Sequence, residues 1–140
     1  DDVEPGQRAQ HVADARGVAR LAEDADLTGR VPVPVLTVHG TQDATAFVEL
    51  ESAFRETMTR GGSEARLAQV FTSDSNHSYM SDAMYPALVD GLERWVAKGE
   101  VPSGASVAQG CKSHEARWGA GCRVLPQYVA ASLSARVPSR

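Results

Sequence analysis

Val33-Pro34-Val35-Leu36-Thr37-Val38-His39-Gly40-Thr41-Gln42-Asp43 is followed, 34 positions after its last residue (77 − 43), by Asn76-His77-Ser78-Tyr79. Val35 to Val38 is β-branched and nearly continuous in apolar character, yet too short for a helix, so it reads as a strand. A strand apolar on both faces belongs inside a parallel sheet covered by helices on either side. Pro32 and Pro34 fit its entrance, where no ladder donor is yet required. The strand runs straight into a turn that presents the carboxylate of Asp43.

Downstream, Phe47, Leu50, Phe54 and Met58 fall on one helical face, and Glu49, Glu51, Arg55 and Glu56 occupy the rest. Gly61-Gly62 supplies a left-handed exit. Arg66 to Thr72 forms a second strand, with Leu67 and Phe71 on one face and Ala68 and Val70 on the other. Ser73-Asp74-Ser75-Asn76 breaks it and delivers His77 into a loop. Ser81 and Asp82 are candidate caps for a helix whose face carries Leu88, Leu92 and Trp95 and which stops at Lys98-Gly99. Strand, helix, strand, helix is the repeating unit of a parallel α/β sheet.

Upstream, Pro5 to Leu27 reads as a weakly amphipathic helix through Val12, Ala15, Ala19 and Ala22, with a glycine stop at Thr28-Gly29. Gly17 in its middle costs about 1 kcal/mol relative to alanine. From Glu100 onward Gly, Ser, Pro and Ala recur without a strong period. The expected division is a helical lead-in over 1–30, an α/β portion over 31–100 and a loop-rich, irregular tail over 101–140.

The chain of 140 residues has the size of one domain, and 42% hydrophobic and 23% charged residues are ordinary for a globular protein. A net charge of −4, with 14 Lys and Arg scattered along the chain, offers nucleic acid no electrostatic footprint. No apolar run approaches the roughly 20 residues of a membrane span. The sequence opens Asp1-Asp2-Val3 with neither an initiator Met nor a basic-then-apolar leader. Residue 1 is therefore not expected to be the true start.

In parallel sheets, functional groups gather at the carboxyl ends of the strands. Asp43 and His77 both lie just past such ends, so they are expected to meet. A carboxylate that accepts from one imidazole nitrogen leaves the other free to take a proton from a serine and return it to a leaving group. Residues from about Gly29 to Gly99 resemble the C-terminal part of the α/β-hydrolase superfamily. Pro34 to Asp43 is similar to that family's acid strand and turn, Asn76-His77 to its histidine loop and Leu88 to Trp95 to its closing helix. Leu92 to Pro102 is similar to bacterial secreted esterase-like or peptidase-like members. The resemblance covers about half the chain and implies a partial fold, the last two parallel strands with their helices. It also implies Asp43 and His77 as acid and base of a serine triad acting on a small ester or amide, with no cofactor.

Two positions depart from the family pattern: Ala44-Thr45-Ala46 follows the acid where many members carry Pro and a hydrophobic pair, and Asn76 precedes the histidine where many carry Gly. Asparagine tolerates the left-handed conformation that glycine would supply. No Gly-x-Ser-x-Gly nucleophile turn occurs in the chain. Ser63 follows a helix rather than a strand, and Ser73, Ser75 and Ser78 crowd His77 in sequence. The nucleophile is expected upstream, and these 140 residues alone are expected to be inert and to self-associate. The alternative is a non-catalytic α/β binding or interaction module.

Cys111 and Cys122, 11 apart (122 − 111), read as a disulfide, with free thiols as the alternative, since zinc sites show closer cysteine pairs plus histidines. A disulfide points to the periplasm or the exterior. His39, Asp43 and His77 form a competing metal-ligand set, although their spacing does not by itself make them converge. Trp118 is placed against the disulfide loop, and Tyr79 and Met80 are candidates to line an acyl pocket.

Overall fold

The computed structural model describes residues 14–136. Strand β1, Val35–Gly40, follows the proline-rich entrance, and β2, Leu67–Thr72, lies parallel to it. The register runs from Val35 opposite Leu67 to Gly40 opposite Thr72. Helix α2, Leu50–Arg60, makes the crossover between them, as a parallel pair requires. The mixed α/β character expected from the sequence is present, as a two-stranded parallel sheet with helices.

Alternation along the strands separates two unlike faces. Leu36, Val38 and Val70 pack with Met80, Ala83, Met84, Ala87, Val107 and Cys111 in the main core. The opposite face carries Thr37, His39 and Gln69 beside Phe71, which joins Val48 and Ala130 in a small second cluster. The expectation of a strand apolar and covered on both sides is corrected here. Every residue of β1 before Gly40 is only partly buried, and its α2 side is polar.

That polar face rotates α2. Glu51, expected on the solvent side, accepts from Thr37 Oγ1 at 2.8 Å and from Gln69 Nε2 at 2.6 Å, and Arg55 reaches Gln69 Oε1 at 3.3 Å. Polar groups partly withdrawn from water need partners, and the charged stripe of α2 provides them. Met58 is fully buried, whereas Phe47 and Leu50 stay exposed at 44% and 45%.

Helix α1, Ala15–Ala25, is capped by Asp14, whose carboxylate accepts from the Arg16 and Gly17 N–H groups, and it buries no residue. Val12, expected on its face, lies outside the described residues. The glycine stop has a further purpose: Gly29, at φ 68°, crosses α2 so closely that a Cβ there would lie 1.9 Å from the Thr57 carbonyl oxygen.

Helix α3, Met84–Lys98, ends at left-handed Gly99 as expected, and Trp95 is buried. Neither Ser81 nor Asp82 caps it through its side chain, because Ala83 occupies the cap position. Its buried line is Met84, Ala87, Gly91 and Trp95, and small Ala87 and Gly91 in its middle let a neighbour lie close.

The neighbour is the principal correction. The stretch expected to be an irregular tail contains α4, Gly104–Trp118, opened by a Ser103–Ser106 capping box. Gly110 faces Ala87 and Gly91 faces Pro102 and Val107, each at ordinary or slightly tight van der Waals distance for a Cβ. Beyond α4 the chain returns to the sheet. Leu125 N–H donates to the Phe71 carbonyl at 2.8 Å, Ser73 N–H to the Arg123 carbonyl at 2.9 Å, and Val124 bridges Thr72 in antiparallel fashion. Cys111 and Cys122 form the expected disulfide, tying α4 to this strap. A short final helix, α5, Leu133–Arg136, lies near α2.

Replacing both cysteines by serine is expected to lower unfolding free energy by about 2 to 3 kcal/mol, the chain-entropy value for so short a loop. Urea midpoints of the oxidised wild type and the double variant measure this.

Candidate functional site

Two turns leave the same end of the sheet and are joined through their backbones. Thr41 N–H donates to the Thr72 carbonyl at 2.8 Å, and Gln42 N–H to the Asp74 carbonyl at 3.3 Å. Gly40 permits this approach, since a Cβ at that position would come within 2.5 Å of the Asp74 oxygen. The two turns therefore cross where only glycine fits.

The crossing brings the two expected site residues together. His77 Nδ1 lies 2.7 Å from Asp43 Oδ2. Asp43 is held from behind as well, its Oδ1 accepting from Thr45 N–H at 2.7 Å and Ala46 N–H at 3.1 Å. Its side chain is 4% exposed, and that of His77 is 51% exposed. The acid is thus enclosed while the imidazole reaches outward, with no hydrogen bond to Nε2 among the described residues.

The hydrogen bond from His77 is the main reason the Asp43 carboxyl is pulled down to about 2 from an ordinary 3.8. Desolvation opposes that shift, and the Ala46 and Thr45 N–H groups assist it. An acceptor-only carboxylate leaves Nδ1 as the donor, so neutral His77 carries its proton there and directs a lone pair outward from Nε2.

Other candidates fall elsewhere. Ser63 is buried and accepts from Val31 N–H at 2.9 Å, a structural role. Ser73, Ser75 and Ser78 form no side-chain hydrogen bond with His77 among the described residues. His39 does not converge with Asp43 and His77 as a ligand set: its ring nitrogens meet the Ala46 carbonyl at 3.0 Å and Glu51 Oε1 at 3.2 Å, leaving Asp43 Oδ2 at 3.8 Å. Asn76 needs no left-handed backbone, since no described residue other than glycine has positive φ. Met80 is a core residue, and Tyr79 is exposed with its hydroxyl donating to Asp82.

Sequence reasoning missed the groups that brace this loop. Arg123 Nη1 lies 3.3 Å from Asp74 Oδ1, and Glu115 Oε1 accepts from the Gly121 and Cys122 N–H groups, each at 2.9 Å. Those backbone bonds pull the Glu115 carboxyl down to about 2 from 4.5. Behind the loop is a hollow of about 260 Å³ lined by Asn76, Tyr79, Trp118 and Arg123, among others, but not by Asp43 or His77. Trp118 is 45% exposed at its margin, with the Arg117 guanidinium 5.0 Å from its ring centre.

Because the folded-state values of Asp43 and Glu115 lie below their unfolded values, their contribution is complete above about pH 4.5 and is lost as pH falls toward about 2. Melting temperature is expected to drop across that window. Asp43→Asn and Glu115→Gln should each flatten part of the drop, as thermal scans at half-unit pH steps will show.

Comparisons with protein-family models, with curated proteins and with solved structures find no match to this chain.

Proposed function

We propose that the chain is the acid-and-base portion of a serine hydrolase related to the α/β-hydrolases, acting on carboxylic esters first and amides second. The observation that carries this reading is the 2.7 Å contact between enclosed Asp43 and outward-facing His77 at the carboxyl ends of two parallel strands. An imidazole–carboxylate contact alone would not suffice. His114 and Asp90 make one at 2.8 Å, but both lie within helices, α4 and α3, rather than on the turns that follow the strands. Position at the sheet's functional edge separates the two pairs.

In this mechanism Asp43 holds the His77 tautomer and stabilises the imidazolium that forms. Nε2 takes the proton of an attacking serine hydroxyl and then delivers it to the departing alkoxide or amine. The serine belongs to a segment outside these 140 residues, which no cofactor need accompany. The asymmetry of the sheet supports that placement. The outer edge of β2 is covered by the Arg123–Leu125 strap, while no strand pairs with the outer edge of β1 among the described residues. A parallel strand added there would end beside Asp43. The disulfide supports an oxidising compartment, periplasmic or extracellular.

A non-catalytic binding module is the second reading, favoured by the lack of any serine bonded to His77 among the described residues. Turnover of a p-nitrophenyl ester by the protein that includes the missing strands separates the two. His77→Ala should lower kcat about 10⁶-fold. Equal turnover by both proteins would remove His77 from the mechanism.

The open β1 edge, with Phe47 and Leu50 exposed, also leads to an expectation for the 140 residues by themselves. Sedimentation should detect dimers or larger species at micromolar concentration. A purely monomeric profile with a cooperative melt would contradict it.

A further inference from the structure

A second imidazole, that of His39, meets the same turn, its Nε2 lying 3.8 Å from Asp43 Oδ2, the oxygen bonded to His77. The Ala46 carbonyl can only accept, so His39 Nε2 donates to it across 3.0 Å. His39 Nδ1 faces Glu51 Oε1, an acceptor as well, at 3.2 Å, so both contacts are hydrogen bonds when the ring carries both protons; the other oxygen of Glu51 accepts from Thr37 and Gln69. Both side chains are largely enclosed, His39 at 13% exposure and Glu51 at 15%. Ordering four polar side chains on a sheet face is costly where apolar ones would pack more simply. Their common terminus is Ala46, the residue whose own N–H donates to Asp43 Oδ1.

We propose that His39 and Glu51 are a positioning pair for the acid: Glu51 holds His39, His39 anchors the turn at Ala46, and the anchored turn sets the Asp43 carboxylate that selects the His77 tautomer. Neither residue touches substrate. The inference rests on Asp43 and His77 being the working pair, and it adds residues from the strand and the crossover helix to that site. It also gives α2 a task beyond covering the sheet.

The test needs no turnover. Long-range ¹H–¹⁵N spectra of histidine-labelled protein at about pH 8, where imidazoles are ordinarily neutral, distinguish Nδ1–H from Nε2–H tautomers. Wild-type His77 is expected chiefly as Nδ1–H. In His39→Leu the ratio of Nδ1–H to Nε2–H at His77 should fall about fivefold, the effect of one lost orienting hydrogen bond. His39→Gln, whose amide N–H can still reach the Ala46 carbonyl, should hold the ratio within about twofold of wild type. Glu51→Ala should act like His39→Leu, and it decides alone if circular dichroism shows His39→Leu unfolded. A wild-type ratio in either folded loss variant overturns the proposal, as does a Gln variant that falls as far as Leu. Wild-type His77 found mainly as Nε2–H would instead refute the Asp43–His77 pair itself, an outcome separate from unchanged variants.

Discussion

The site depends on the close crossing of two backbones at the end of the sheet. Without a side chain at Gly40, the turn after β1 can lie against the Asp74 carbonyl, and the Thr41 and Gln42 N–H groups bond to the turn after β2. Those bonds bring Asp43 and His77, far apart in sequence, into one geometry before either side chain chooses a rotamer. The 2.7 Å contact between them is a consequence of that backbone arrangement. An Ala at position 40 would have to push one turn away, and the carboxylate would move with it.

The two faces of the sheet do different work. On the α3 and α4 side, Leu36, Val38 and Val70 bury apolar surface with Met84 and Val107, which is where most of the hydrophobic stabilisation resides. On the α2 side, Thr37, His39 and Gln69 exchange hydrogen bonds with Glu51 and Arg55. Such bonds contribute only about 1 kcal/mol each net of water. Their value lies more in direction than in energy. They tie α2 to the sheet through directed contacts.

Much of this was legible in the sequence because it rests on strong local signals. The β-branched run before His39, the Gly61-Gly62 break and the Gly99 stop each reported their own neighbourhood, and the structure agrees at β1, at the end of α2 and at the end of α3. The Asp43–His77 meeting was legible too, since strand ends on one edge converge whatever the intervening residues. Helix α4 was not legible. It packs through Gly110 against Ala87 and buries only Val107 and Cys111, so the apolar period a reader looks for is carried by small residues that do not register as a stripe. Glu51 was misread for the converse reason. A charged residue on an amphipathic helix normally faces water, and only the polar Thr37, His39 and Gln69 across the interface reverse that preference.

The C-terminal strap shows how a segment without an obvious pattern enters the site. Glu115 binds the Gly121 and Cys122 N–H groups, the disulfide joins Cys122 to buried Cys111, and Arg123 then meets Asp74 three residues before His77. The Arg123 side chain is 62% exposed, so that ion pair alone contributes little. The paired backbone of Arg123 and Leu125 with Ser73 and Phe71 is stronger, because it covers an edge that would otherwise present unpaired donors and acceptors. His77 is therefore held from both sides of its loop. The turn of Asp43 braces it on one flank, and on the other stands a strap whose position α4 sets through a covalent bond.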